Sequence, residues 1–137
     1  MKVFIVEDSP LVVDRLMAMF AEFEGGVEVV GRADDAVAAI GSIRDLRPDA
    51  VILDIRLRRG TGLDVLETVK RDQQAPMVMM LTNYPHPQYR RRCLEHGADY
   101  FLDKSTEFDC VRGVFKDLLA RVACRVPVTG GCAAHES

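Results

Sequence analysis

Ala50-Val51-Ile52-Leu53-Asp54 is the stretch on which the reading of this chain turns: four apolar residues in unbroken succession, then a carboxylate. A strand with one wet face alternates apolar and polar residues, so continuous apolarity marks a strand covered on both faces, as in a parallel sheet. Working outward, similar short runs stand at 3–6, 77–81 and 100–102, and a further strand is expected over Val27 to Val30, where Glu28 interrupts the apolar residues. Five stretches with apolar residues at helical spacing separate or follow them. Ser9 and Pro10 offer a cap and a first-turn proline for a helix through Val13, Leu16, Met17 and Phe20, ended by Gly25-Gly26. Asp34 or Asp35 caps a second helix carrying Val37, Ile40 and Ile43, which Pro48 stops. The Gly60-Thr61-Gly62 turn leads into a third through Leu63, Val65, Leu66 and Val69. A fourth helix is expected from about 88 to 96, closed by Gly97. Ser105 or Thr106 caps the last, with Val111, Val114, Phe115, Leu118 and Leu119 on one face. Strands alternating with helices in this way imply right-handed crossovers and a doubly wound α/β sheet with helices on both faces.

Composition narrows the classes further. At 137 residues the chain has the size of one domain, expected over 1–122 with a flexible tail at 123–137 and no output domain. Apolar residues make up 48% and charged residues 28%, and 18 basic against 21 acidic residues give a net charge of −3. That balance gives no chain-wide attraction for nucleic acid or anionic lipid. No apolar run approaches the ~20 residues of a membrane span. Glu7-Asp8 comes too early for a secretory leader, so a cytoplasmic protein is expected. Cys93, Cys110, Cys124 and Cys132 form no C-x-x-C pair, and His86, His96 and His135 have no zinc spacing; reduced, unligated thiols follow.

In a parallel sheet the carboxyl ends of the strands share one edge, and ligands bind there. Glu7 and Asp8, Asp54, Thr82 and Lys104 all fall on that edge. Singly each is a helix cap or a solvated strand end. Together they bring three carboxylates against one ammonium, and crowded carboxylates raise one another's pKa unless a cation sits among them. All-oxygen ligation suits magnesium, with manganese as a substitute, and magnesium completes its shell with water and phosphate oxygens. Asp54, between the acid pair and Lys104, can then be a nucleophile toward phosphorus. Lys104 would neutralise the transferring oxygens and Thr82 would donate a hydroxyl.

With these residues in view the sequence resembles the receiver domain of two-component response regulators. Glu7-Asp8, Asp54, Gly62, Thr82, Gly97-Ala98, Phe101 and Lys104 carry the resemblance, which runs from Lys2 to about Val122. It implies a flavodoxin-like (βα)5 sheet of strand order 2-1-3-4-5. It also implies transfer of a phosphoryl group to Asp54 from a histidine kinase or phosphotransfer protein, with self-catalysed loss and no further enzyme activity. Metal ligation would come from Asp8, Asp54 and the backbone carbonyl of Arg56, with Glu7 acting through water. Thr82 and Phe101 would be the switch pair, read on the fourth helix–fifth strand–fifth helix face by an unknown downstream protein. Arg56 and Tyr84 would flank the path of the hydrolytic water and tune the lifetime of the phosphoryl group. A homodimer is left open; direct nucleic-acid and membrane partners are not expected.

The chain departs from the family's pattern in places. Arg58 stands where a proline is frequent, and Ser105 where a proline commonly follows the active-site lysine, so the Lys104–Ser105 bond is open to either isomer. Arg56, Arg58 and Arg59 set three cations beside the acidic crevice, as a solvated loop or as an attraction for a phosphorylated donor. Arg90-Arg91-Arg92 point ~100° apart around a helix and make no single basic stripe. The alternatives are a pseudo-receiver that only binds partners, and a phosphorelay intermediate. A haloacid-dehalogenase-like phosphatase would need D-x-D after the first strand, and an FMN site would need a Ser/Thr-rich loop there. Glu7-Asp8-Ser9-Pro10 supplies neither.

Overall fold

The computed structural model describes residues 1–124 of the chain. Five strands, β1 (Lys2–Val6), β2 (Glu28–Ala33), β3 (Ala50–Leu53), β4 (Met77–Thr82) and β5 (Tyr100–Asp103), alternate with five helices. These are α1 (Pro10–Ala21), α2 (Ala36–Leu46), α3 (Gly62–Lys70), α4 (Pro87–Glu95) and α5 (Cys110–Cys124). Every pairing is parallel and the strand order is β2-β1-β3-β4-β5. The expected tail lies outside the described residues from Arg125 onward.

Side chains alternate across each strand, so one apolar run feeds two cores. Val3, Ile5, Ala50, Ile52, Met79, Leu81 and Leu102 face α1 and α5, where Leu16, Phe20, Val111 and Phe115 close the layer. Phe4, Val6, Val51, Leu53, Val78, Met80 and Phe101 face the other way, onto Ala39, Ile43, Val65, Leu66, Val69 and Cys93. Each large aliphatic side chain so buried contributes about 1.5–3 kcal/mol over its exposed state. The central position of β3 accounts for the unbroken apolar run at 50–53.

Caps follow the sequence at three helices. The Ser9 hydroxyl accepts from the Val12 amide, the Asp35 carboxylate from the Ala38 amide, and Thr61 and Asp64 form a reciprocal capping box. The fifth helix differs from expectation: it begins at Cys110, not after Ser105 or Thr106. The Asp103 amide donates to Glu107 Oε1 at 2.9 Å and the Ser105 amide to Asp103 Oδ1 at 2.8 Å, which holds 103–107 in a turn. That turn tucks Phe108 into the core before the helix starts. Val37 and Met17 were expected inside and are exposed, at 82% and 47%. Ala36, Ala39 and Met19 occupy the inner faces instead. Cys93 is a free, buried thiol. Cys110, contrary to expectation, is disulfide-bonded. The Lys104–Ser105 bond is trans, as there is no cis peptide among the described residues.

Candidate functional site

The backbone ladder delivers the site residues. One position past each strand end the amide is still paired: Glu7 N donates to Ala33 O at 3.0 Å, Asp54 N to Val6 O at 3.0 Å, and Lys104 N to Thr82 O at 2.8 Å. Glu7, Asp54, Thr82 and Lys104 are the buried polar or charged residues among those described. The Lys104 Nζ donates to Glu7 Oε1 at 2.7 Å and to Asp54 Oδ2 at 2.9 Å. Glu7 Oε2 accepts from the Ser9 amide at 3.0 Å, and Asp54 Oδ1 from the Ile55 amide at 2.7 Å. Gly62 completes the floor, with its amide on the Ile55 carbonyl at 2.7 Å. A methyl group at Gly62 would land on the Asp54 carbonyl oxygen, so only glycine fits there.

Burial raises the Glu7 pKa above the ordinary carboxylate range, against the opposing hydrogen bonds from Lys104 and the Ser9 amide. Burial also works against the Lys104 charge, but its hydrogen bonds to Glu7 and Asp54 outweigh it and hold the ammonium above its usual value. Asp8 is exposed and accepts no hydrogen bond among the described residues. Glu7, Asp8 and Asp54 each bring one carboxylate oxygen to within 4.8 Å of the others. Three carboxylates against one ammonium leave charge uncompensated, and an all-oxygen donor set with a free carboxylate suits a hard divalent cation.

Around this crevice stand the remaining residues singled out from sequence. Thr82 is fully buried, and its hydroxyl accepts from the Tyr84 amide at 3.0 Å. The Arg56 guanidinium lies over the Tyr84 ring, 4.5 Å from its centroid, so the β3–α3 and β4–α4 loops meet across the ends of β3 and β4. Phe101 is 2% exposed, with the Arg90 guanidinium 5.9 Å from its ring and Arg90 Nη1 donating to its carbonyl at 3.4 Å. Three contacts had no sequence signal: Arg90 on Phe101, Ser105 Oγ on Asn83 Oδ1 at 3.4 Å, and Arg58 on Asp34 and Asp35. Of the three arginines after Asp54, then, Arg58 is held in ion pairs and Arg56 in a stack.

Residues 3–115 match the response regulator receiver domain. The chain belongs to that family. The transcriptional regulatory protein BtsR of Escherichia coli K12 is 34% identical over 102 residues, 74% of this chain and 41% of that protein. The uncharacterized transcriptional regulatory protein YvfU of Bacillus subtilis is 30% identical over 120 residues, 82% of this chain and 60% of YvfU. The chain thus spans about two fifths to three fifths of these regulators. The signal receiver domain of the NarL regulator from Mycobacterium tuberculosis superposes with TM-score 0.76 at 27% identity, covering 87% of this chain and 95% of that one. The CheB response regulator domain of Thermotoga maritima has the same fold, with TM-score 0.74 at 23% identity over 93% of this chain and 98% of its own. Receivers of this family serve two-component signalling and bind magnesium at an acidic pocket, and here Glu7, Asp8 and Asp54 form an acidic group that could hold a metal ion. Among the described residues no helix is long and apolar enough to cross a membrane.

Proposed function

We propose that this receiver accepts a phosphoryl group on Asp54 from a histidine kinase or a histidine phosphotransfer protein. The observation that carries the reading is the Asp54 carboxylate itself, buried at the end of a central strand with one oxygen on Lys104 and the other on the Ile55 amide. A buried carboxylate with fixed orientation is a nucleophile whose approach is set before the donor arrives. In the transfer an Asp54 oxygen forms the new O–P bond as the P–N bond of the donor phosphohistidine breaks. The bonding pair stays on the imidazole nitrogen, and the ring leaves neutral with the proton on its other nitrogen.

Asp8, Asp54 and the Arg56 carbonyl would hold magnesium, or manganese in its place, with Glu7 reaching it through water. When bound, the cation supplies positive charge to the transferring oxygens. Lys104 exchanges its bond to Asp54 for one to the phosphoryl group while Glu7 keeps the ammonium in place. Thr82 gives up the Tyr84 amide and donates its hydroxyl to the phosphoryl group, and Phe101 responds on the face of α4, β5 and α5. A downstream protein reads that face. The stacked Arg56 and Tyr84 stand over the crevice and slow the entry of hydrolytic water.

Gel mobility after acetyl phosphate treatment tests the acceptor. A shift that needs magnesium and vanishes in Asp54→Asn is expected. A shift persisting in that variant overturns the assignment.

A further inference from the structure

The β3–α3 loop is closed at its base and tied down at its tip. Gly62 N on Ile55 O at 2.7 Å and an antiparallel bridge between Arg56 and Thr61 close the base. At the tip, Arg58 N donates to Asp34 O at 2.9 Å, and Ala36 N donates to Arg59 O at 2.9 Å. Gly60, at φ +76°, lies so near α2 that a Cβ there would sit 2.7 Å from that of Ala36. Over these backbone contacts the Arg58 guanidinium spreads across two carboxylates. Its Nε is 3.1 Å from Asp34 Oδ2, its Nη2 3.2 Å from Asp34 Oδ1, and Nη2 also reaches Asp35 Oδ2 at 3.3 Å. Asp35 is the cap of α2, its other oxygen accepting from the Ala38 amide at 2.8 Å.

We propose that Arg58 is a positioning residue for the site: it pins the loop tip to the start of α2 and thereby fixes the Ile55 amide and the Arg56 carbonyl around Asp54. This rests on the phosphoacceptor reading for its functional part. The loop is short, and Arg56 lies midway between the Asp54 anchor and the Arg58 anchor. Arg56 is otherwise held by its backbone bridge to Thr61 and, on the solvent side, by the stack of its guanidinium on Tyr84. A lone exposed ion pair is worth little, because two long side chains lose freedom in high dielectric. A planar fork on one carboxylate with a second carboxylate alongside adds geometric definition that a point charge cannot. The role therefore belongs to arginine, and a lysine there restores charge without the fork.

Backbone amide exchange and magnesium titration are measured on the parent, Arg58→Gln, Arg58→Lys, Asp34→Asn and the Arg58→Gln, Asp34→Asn double variant. In Arg58→Gln, exchange at residues 55–61 should quicken and magnesium affinity fall about two- to fivefold, the size of effect an exposed pair can carry. Asp34→Asn should do the same, the double variant should be no worse than either single, and Arg58→Lys should fall between. Unchanged loop exchange in Arg58→Gln overturns the proposal, as do additive losses in the double variant. If the parent shows no magnesium response while loop exchange quickens in Arg58→Gln, the phosphoacceptor reading fails and the tether stands.

Discussion

Lys104 shows how much one side chain does at this edge. It is 7% exposed and its ammonium is shared between two carboxylates, so removing it strands both without a counter-charge. Breaking a buried pair from one side costs about 3 kcal/mol or more. Lys104→Met should therefore lose about 3 kcal/mol in a magnesium-free urea melt. The loss should shrink when magnesium is added, since a divalent cation neutralises the same carboxylates; a loss below about 1 kcal/mol would mean the pair is not energetically buried. At this scale the sequence was legible wherever a residue follows a strand. Glu7, Asp54 and Lys104 take their places from backbone bonds whose register the apolar runs reveal. Arg58 and Arg90 were not legible, because their partners, Asp34 and Phe101, come near through loop and helix placement that no spacing rule encodes.

Elements differ in how openly their sequences announce them. Strands β1, β3, β4 and β5 did so through continuous apolarity, whereas β2 carries Glu28 and Arg32, and α3 did so through its Thr61 cap and Asp64. The start of α5 did not: Ser105 and Thr106 are good cap residues, yet the Asp103–Glu107 bonds claim the segment for a turn. Helical spacing placed Val37 inside α2, but the close approach of Gly60 to Ala36 turns that side of the helix inward and leaves Val37 in solvent. The loops over the site carry their own prediction. A guanidinium stacked on a tyrosine ring contributes about 0.5–1 kcal/mol at an exposed position, enough to keep the cover closed most of the time. The Arg56→Asn, Tyr84→Ala double variant should lose phosphate faster than the parent in magnesium. Equal loss rates would show that the stack does not shield the phosphoryl group.

Across the whole molecule, two cores share one sheet, and the buried thiol of Cys93 reports on the one beneath α4. Burial pushes its pKa from an ordinary 9.0 up to about 11, with the Arg92 charge pulling weakly the other way. A raised acid pKa means the folded state disfavours the thiolate. The stability tied to it is whole below the unfolded value near 9 and is lost as pH rises through about 11. Native protein at pH 8 should therefore resist alkylation at Cys93 and react there once unfolded, as peptide mapping would show. Rapid native labelling would contradict the packing of that core. The α/β class and the sidedness of the helices were readable from residue patterns alone. The strand order came from the resemblance to receivers, since parallel strands joined by helices can be wound in more than one order. The central claim, that the edge formed by β1, β3, β4 and β5 exists to phosphorylate one carboxylate, is tested most directly by locating the phosphoryl group. Acetyl phosphate treatment in magnesium, reductive trapping of the acyl phosphate with borohydride and tandem mass mapping of the peptides should place the label on Asp54 alone. Label on Asp8 or Glu7, or none on Asp54, would contradict the account.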